Sequence, residues 1–334
     1  MSEHSVSKKE LILFLVVTFG FTAVMGIAMA FAYSKYKIDA FPLVQMCYPA
    51  AGAMIALLLN KNKRKELPIK FYGAYLFFTI TLVLYIFLQI FIFHKNPGWY
   101  VECYTIIGSF ALIIMYFSDE KDKIDAWGLK VGKNSRESIR YTLLFVILYL
   151  CAIFLGELIF GNVKDFIAPF KDPKRLVGMF LLPLSFPITF IVFLGEEYGW
   201  RYFLQTALQE RLGKRKGIIL LGVIWGIWHL PLNLFYYSPK TSFYSVINQL
   251  IICIGYSVFF GFVYMKTKNI WAVSMIHFIN NNLGFILYGG TGADVVFSGK
   301  AVLGNLFCIF VVYLPFLFTK EYSKKEAGIS NYSA

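Results

Sequence analysis

Apolar runs of roughly 20 residues recur along the whole chain, separated by short polar stretches rich in lysine, glycine or aromatic residues. A run of that length, wound as a helix, crosses the hydrocarbon core of a bilayer. The runs are continuous, whereas the strands of a membrane barrel would alternate apolar and polar positions. Ten spans are predicted, at about 11–33, 41–60, 71–94, 98–117, 141–160, 177–208, 217–236, 243–265, 269–288 and 301–319. The expected fold class is therefore all-α: a polytopic membrane helix bundle of about ten transmembrane helices. Composition agrees. The 334 residues are 58% hydrophobic and 15% charged, with a mean hydropathy of +0.63, which excludes a soluble domain of this length. The opening stretch "MSEHSVSKKELILFLVV" begins basic, but its apolar run continues without a small-residue cleavage site. It reads as a first span and not as a removed signal.

Charge changes the picture by its placement. A formal net charge of +13 could suggest nucleic acid. With the N-terminus in the cytoplasm, however, 22 of the 32 Lys and Arg fall in inside segments, nine fall outside, and Arg201 lies within a span. That is the positive-inside bias, and it predicts that both termini are cytoplasmic. The expected partner of the basic charge is the lipid bilayer, with no nucleic acid. Cys47, Cys103, Cys151, Cys253 and Cys308 are scattered in apolar runs without metal or disulfide spacing, so they read as packing residues.

Candidate chemistry starts at "FLGEEYGWRYFL", where two glutamates and an arginine lie inside hydrocarbon. Ionisable residues at that depth are costly and usually functional. Glu197 and Arg201 are four apart on one helix face and can pair. Glu196 is turned about 100° away, so it can stay free while its neighbour is neutralised. His229 in "WGIWHLPLN" and His277 in "MIHFINNN" fall on other spans. All three positions come out about 12–18 Å below the cytoplasmic surface. Asn281 follows His277 by four residues on the same face, with Asn280 as its rival. Each residue also has a plainer reading: a histidine can bond a carbonyl across a helix interface, and an asparagine run can join helices. Glu102 and Glu157 lie near outer ends and read as interfacial. Pro183, Pro187 and Pro231 interrupt the same spans, which suggests a buried cavity.

These residues carry a resemblance. "EEYGWR" is similar to the EExxxR motif, "WGIWH" to FxxxH, and "HFINN" to HxxxN, of the CPBP intramembrane protease family, which includes the CAAX prenyl endopeptidases and the bacterial Abi group. Trp225 stands where the family usually has phenylalanine. The resemblance covers about residues 177–290 and implies an eight-helix core. On that basis 71–320 would be the protease core, 1–70 an additional N-terminal pair of spans, and 321–334 a cytoplasmic tail. It implies that Glu196 and His229 activate a water and that His277 and Asn281 stabilise the oxyanion. Glu197, Arg201 and Trp225 would support them structurally. The implied function is an intramembrane endopeptidase cleaving a membrane-associated or lipid-modified peptide or protein near the cytoplasmic side, in the plasma membrane of a bacterium. One carboxylate and two histidines could ligate zinc, yet the sequence lacks the HExxH signature; the expectation is a metal-free site with no cofactor. Two other readings stand beside it. One is a transporter with a Glu/His proton relay, for which inverted repeats are lacking. The other is a non-catalytic bacteriocin self-immunity protein.

Overall fold

The computed structural model describes residues 5–290 and 292–323, which include only the first residues of the expected 321–334 tail. Among the described residues there is no strand, and nine helices are long and apolar enough to cross a membrane. They are α1 (Lys8–Ala32), α2 (Ala40–Leu58), α3 (Ile69–Ile92), α4 (Tyr100–Ser118), α5 (Ser135–Phe160) and α6 (Pro173–Leu212), then α9 (Ser242–Thr267), α10 (Ile270–Tyr288) and α11 (Gly299–Phe318). A further pair, α7 (Lys214–Trp228) and α8 (Leu230–Tyr237), forms one broken span bent by 42°. The chain is a polytopic all-α membrane bundle, and each of the ten expected spans has its counterpart.

The break in the seventh span has a local cause. Pro231 lacks an N–H and cannot continue the α-helical ladder. The His229 N–H bonds the Gly226 carbonyl instead of the Trp225 carbonyl four residues back. The Trp225 and Trp228 carbonyls must then find other donors. The first takes the His229 ring at 2.8 Å and the second takes Gln45 Nε2 at 2.9 Å. The kink is thus what aims the histidine.

The helix α6 carries the glutamates and is held close to α2 by small residues. Gly195 and Gly199, four apart around the Glu196–Glu197 pair, face the backbone of Met46–Pro49, and a Cβ at Gly199 would overlap Pro49. Such small-xxx-small spacing lets membrane helices approach to backbone contact. From Tyr198 to Gln205 the helix widens to a π-helix, a distortion frequent at functional sites. Gly199→Ala is expected to cost about 1–3 kcal/mol through overpacking. It should appear as a lower unfolding midpoint in detergent; an unchanged midpoint would show that α2 and α6 part freely.

The N-terminal pair of spans is packed into the bundle. The apolar window of α2 is 78% buried, against 6% for α5. Phe14 of α1 stacks on Phe203 and meets Trp200 edge-on.

Candidate active site

The two glutamates are 2% and 0% exposed, and each is committed differently. Glu196 Oε2 accepts the indole N–H of Trp225 at 2.8 Å and that of Trp200 at 3.2 Å. Glu197 Oε2 accepts from Arg201 Nε at 2.8 Å, the pair expected from their spacing. Its other oxygen accepts from His277 Nδ1 at 2.7 Å. That bond joins α6 to α10 and was not visible in the sequence. Arg201 is fully buried, reaches Ser257 Oγ through Nη1 at 3.3 Å, and lies over the rings of Trp225 and Phe260 at 4.8 and 5.3 Å. Stacking on ring faces suits a guanidinium whose hydrogen-bond partners are few.

Trp225 ties the site together. Its indole N–H holds Glu196, its carbonyl holds His229, its face receives Arg201, and its ring lies 5.7 Å from that of His277. The indole N–H donates where a phenylalanine could not. Trp200 escaped the sequence reading although its spacing, four residues after Glu196, was the signal. Gln45, which caps the break at Trp228, had no signal at all.

The candidate residues converge. Glu196, His229, His277 and Asn281 all line one cavity of about 480 Å³, with aromatic walls that include Phe193, Trp228 and Tyr237. Asn280, the rival, also lines it, and donates its Nδ2 to Asn281 Oδ1 at 2.9 Å. The Asn281 Nδ2 is left to donate elsewhere. Glu197 and Arg201 stand behind this wall.

The cavity sits near the middle of the bundle. Phe193 and Glu196 of α6, Tyr256 of α9 and His277 of α10 line it near the middle of their helices, and Leu43 and Met46 of α2, Gln249 and Cys253 of α9 and Phe285 of α10 extend it toward the weakly charged end. Asp39 and Gly292, in loops at that end, also belong to the lining. Toward the basic end the next turns of α6 are solid, with Tyr198, Trp200, Arg201, Phe203, Leu204 and Gln205 no more than 1% exposed. The Tyr198 hydroxyl donates to the Trp127 carbonyl and Gln205 Nε2 to the Gly261 carbonyl, tying α6 to its neighbours there. The turns of α6 toward the basic end are thus closely packed.

A zinc ion would need ligands grouped around it. Among the described residues no three His, Cys, Asp or Glu side chains are grouped to hold a metal. Both oxygens of Glu197 and one of Glu196 are already engaged by N–H donors. The donor set does not fit the tetrahedral zinc site that the motif residues could suggest.

Residues 178–283 match the family model described as Type II CAAX prenyl endopeptidase Rce1-like. The resemblance to the CPBP family is borne out there. A CAAX prenyl protease 2 of Methanococcus maripaludis is 35% identical over 68 residues, 20% of this chain and 24% of that protein. The alignment thus spans about a quarter of the relative's length. No solved structure matches the chain. The CPBP-like segment contains all three motifs and leaves α1 to α5 outside it.

Proposed function

We propose that the chain is a metal-free intramembrane endopeptidase, hydrolysing a peptide bond of a membrane-associated or lipid-modified polypeptide. The observation that carries this reading is the meeting of Glu196, His229, His277 and Asn281, from three spans, in one aromatic cavity.

Hydrogen-bond partners assign the ring protons. His229 Nδ1 faces a carbonyl oxygen, so it carries the proton and leaves Nε2 with a lone pair. That nitrogen and the Glu196 carboxylate are the two acceptors for the protons of an attacking water. His277 Nδ1 faces a carboxylate and is likewise protonated. Its Nε2 donates only when the ring carries both protons, and that state makes Glu196, Glu197, Arg201 and His277 neutral as a group. Burial favours such neutrality. With Asn281 Nδ2 it supplies two donors for the oxyanion that forms as water adds to the scissile carbonyl. Collapse of that adduct breaks the C–N bond, and the leaving amine takes the proton held by the Glu196–His229 pair.

The test compares membrane proteomes from cells with the parent chain and with Glu196→Gln, looking for peptide termini present only with the parent. Against a substrate found in this way, Asn281→Ala should lower kcat by about 10²–10³-fold with KM little changed, the usual cost of losing one oxyanion donor. Strong chelators should leave the rate unaltered. A single zinc whose removal and return switched cleavage off and on would overturn the metal-free mechanism.

A further inference from the structure

We propose that the first two spans form a clamp on the broken seventh span, and that Gln45 is a positioning residue acting through His229. The part His229 plays in hydrolysis is taken from the protease reading, whereas the clamp rests on packing and hydrogen bonds alone. Neither α1 nor α2 lies in the segment that matches the family model, yet both touch the break itself. Gln45 of α2 is 2% exposed and donates its Nε2 to the Trp228 carbonyl at 2.9 Å, across 183 residues of sequence. Gly26 of α1 faces the Pro231 ring so closely that a Cβ there would stand 2.9 Å from two of its carbons. Tyr33, at the end of α1, meets Phe235 of α8 with ring centroids 5.3 Å apart. Two helices thus hold the seventh span before, at and after its proline.

The bend matters because the ring of His229 depends on it. In a regular helix the His229 N–H would bond the Trp225 carbonyl. At the break it bonds the Gly226 carbonyl instead, and the Trp225 carbonyl is left for His229 Nδ1 at 2.8 Å. That bond places the proton on Nδ1 and the lone pair on Nε2. Proline-broken membrane helices persist where neighbours re-satisfy the freed carbonyls. Here the neighbour is Gln45. A buried carbonyl without a donor is costly, and Trp228 is only 1% exposed. If the bend straightens, the backbone N–H reclaims the Trp225 carbonyl and the ring loses its acceptor. Gln45 therefore acts at one remove: it bonds the backbone beside the ring and not the ring.

Gln45→Met tests this, because methionine keeps the length of the side chain and removes the donor. The first readout needs no cleavage. In the full chain with isotope-labelled histidine, NMR of the ring nitrogens of His229, assigned against His229→Ala, should show the Nδ1-protonated tautomer in the parent. Gln45→Met should show a mixture of both tautomers. The second readout is kinetic, on a substrate found by comparing termini. Gln45→Met should lower kcat by about 10–10²-fold with KM within about twofold, as when a supporting residue lets a reacting group drift by about an ångström. In a His229→Ala background the same change should have no further effect on the residual rate, because the two residues act as a unit. Gly26→Ala presses on Pro231 from α1 without altering a polar bond, and it should mix the tautomers in the same way. It keeps the clamp testable if Gln45→Met fails to fold. The parent tautomer retained in both variants would overturn the clamp. Losses that multiply in the double variant would remove Gln45 as a positioning residue. Full cleavage by His229→Ala, with the tautomers mixed as expected, would sink the protease role of His229 and leave the clamp standing.

Discussion

Glu196→Gln is expected to lower cleavage by about 10²–10⁴-fold, the range for removing a general base, while the protein expresses and unfolds as the parent does. The fold should tolerate it because the change is isosteric and the contacts are retained. The amide oxygen of glutamine can take the place of Oε2 and accept from both Trp225 and Trp200. What is lost is the negative charge and the capacity to hold a proton. His229 alone then faces the water, and its Nε2 lone pair is oriented by a backbone carbonyl rather than by a second acid. The measurement is the rate on a substrate found by comparing termini, beside the unfolding midpoint of both proteins. A variant within about tenfold of the parent rate would remove Glu196 from the proton transfer.

Much of this was legible in the sequence, and the reasons for what was not are physical. Apolar length gave all ten spans to within a few residues, because lipid allows little besides a continuous helix. The Glu197–Arg201 pair followed from helical spacing. The Glu197–His277 bond could not, since it joins residues 80 apart through the packing of α6 on α10. The break at His229 was hinted at by Pro231, but its effect on the ring depends on which carbonyls are released and on Gln45, far away in the chain. Depth put Glu196, His229 and His277 in one layer, and they do meet in one cavity. Depth does not say which half of the bundle is hollow. That is decided by side-chain volume on either side of the layer; Tyr198, Trp200 and Phe203 are buried just beyond it on the basic side.

Removing the charge of Glu197 should instead destabilise the protein. Arg201 is 0% exposed and its ionic partner is Glu197 at 2.8 Å, so Glu197→Gln leaves a buried guanidinium without its counter-charge. Breaking a buried pair in this way costs about 3–5 kcal/mol, and unfolding in detergent should show it. Replacing both partners, Glu197→Gln with Arg201→Met, removes the stranded charge. Buried ion pairs exchanged for neutral groups of similar shape are often close to neutral in stability. The double variant should therefore unfold near the parent. Cleavage should nevertheless stay low in it. His277 will have lost the carboxylate at its Nδ1, and with it the charge that favours the doubly protonated ring needed to donate to the oxyanion. Stability and activity thus separate in one pair of proteins. If the double variant regained both, Glu197 would be only the counter-ion of Arg201, and His277 would not act as a charged donor. If the single variant unfolded like the parent, the ion pair would contribute nothing to the fold, and the reason for an arginine at that depth would have to be sought in the substrate.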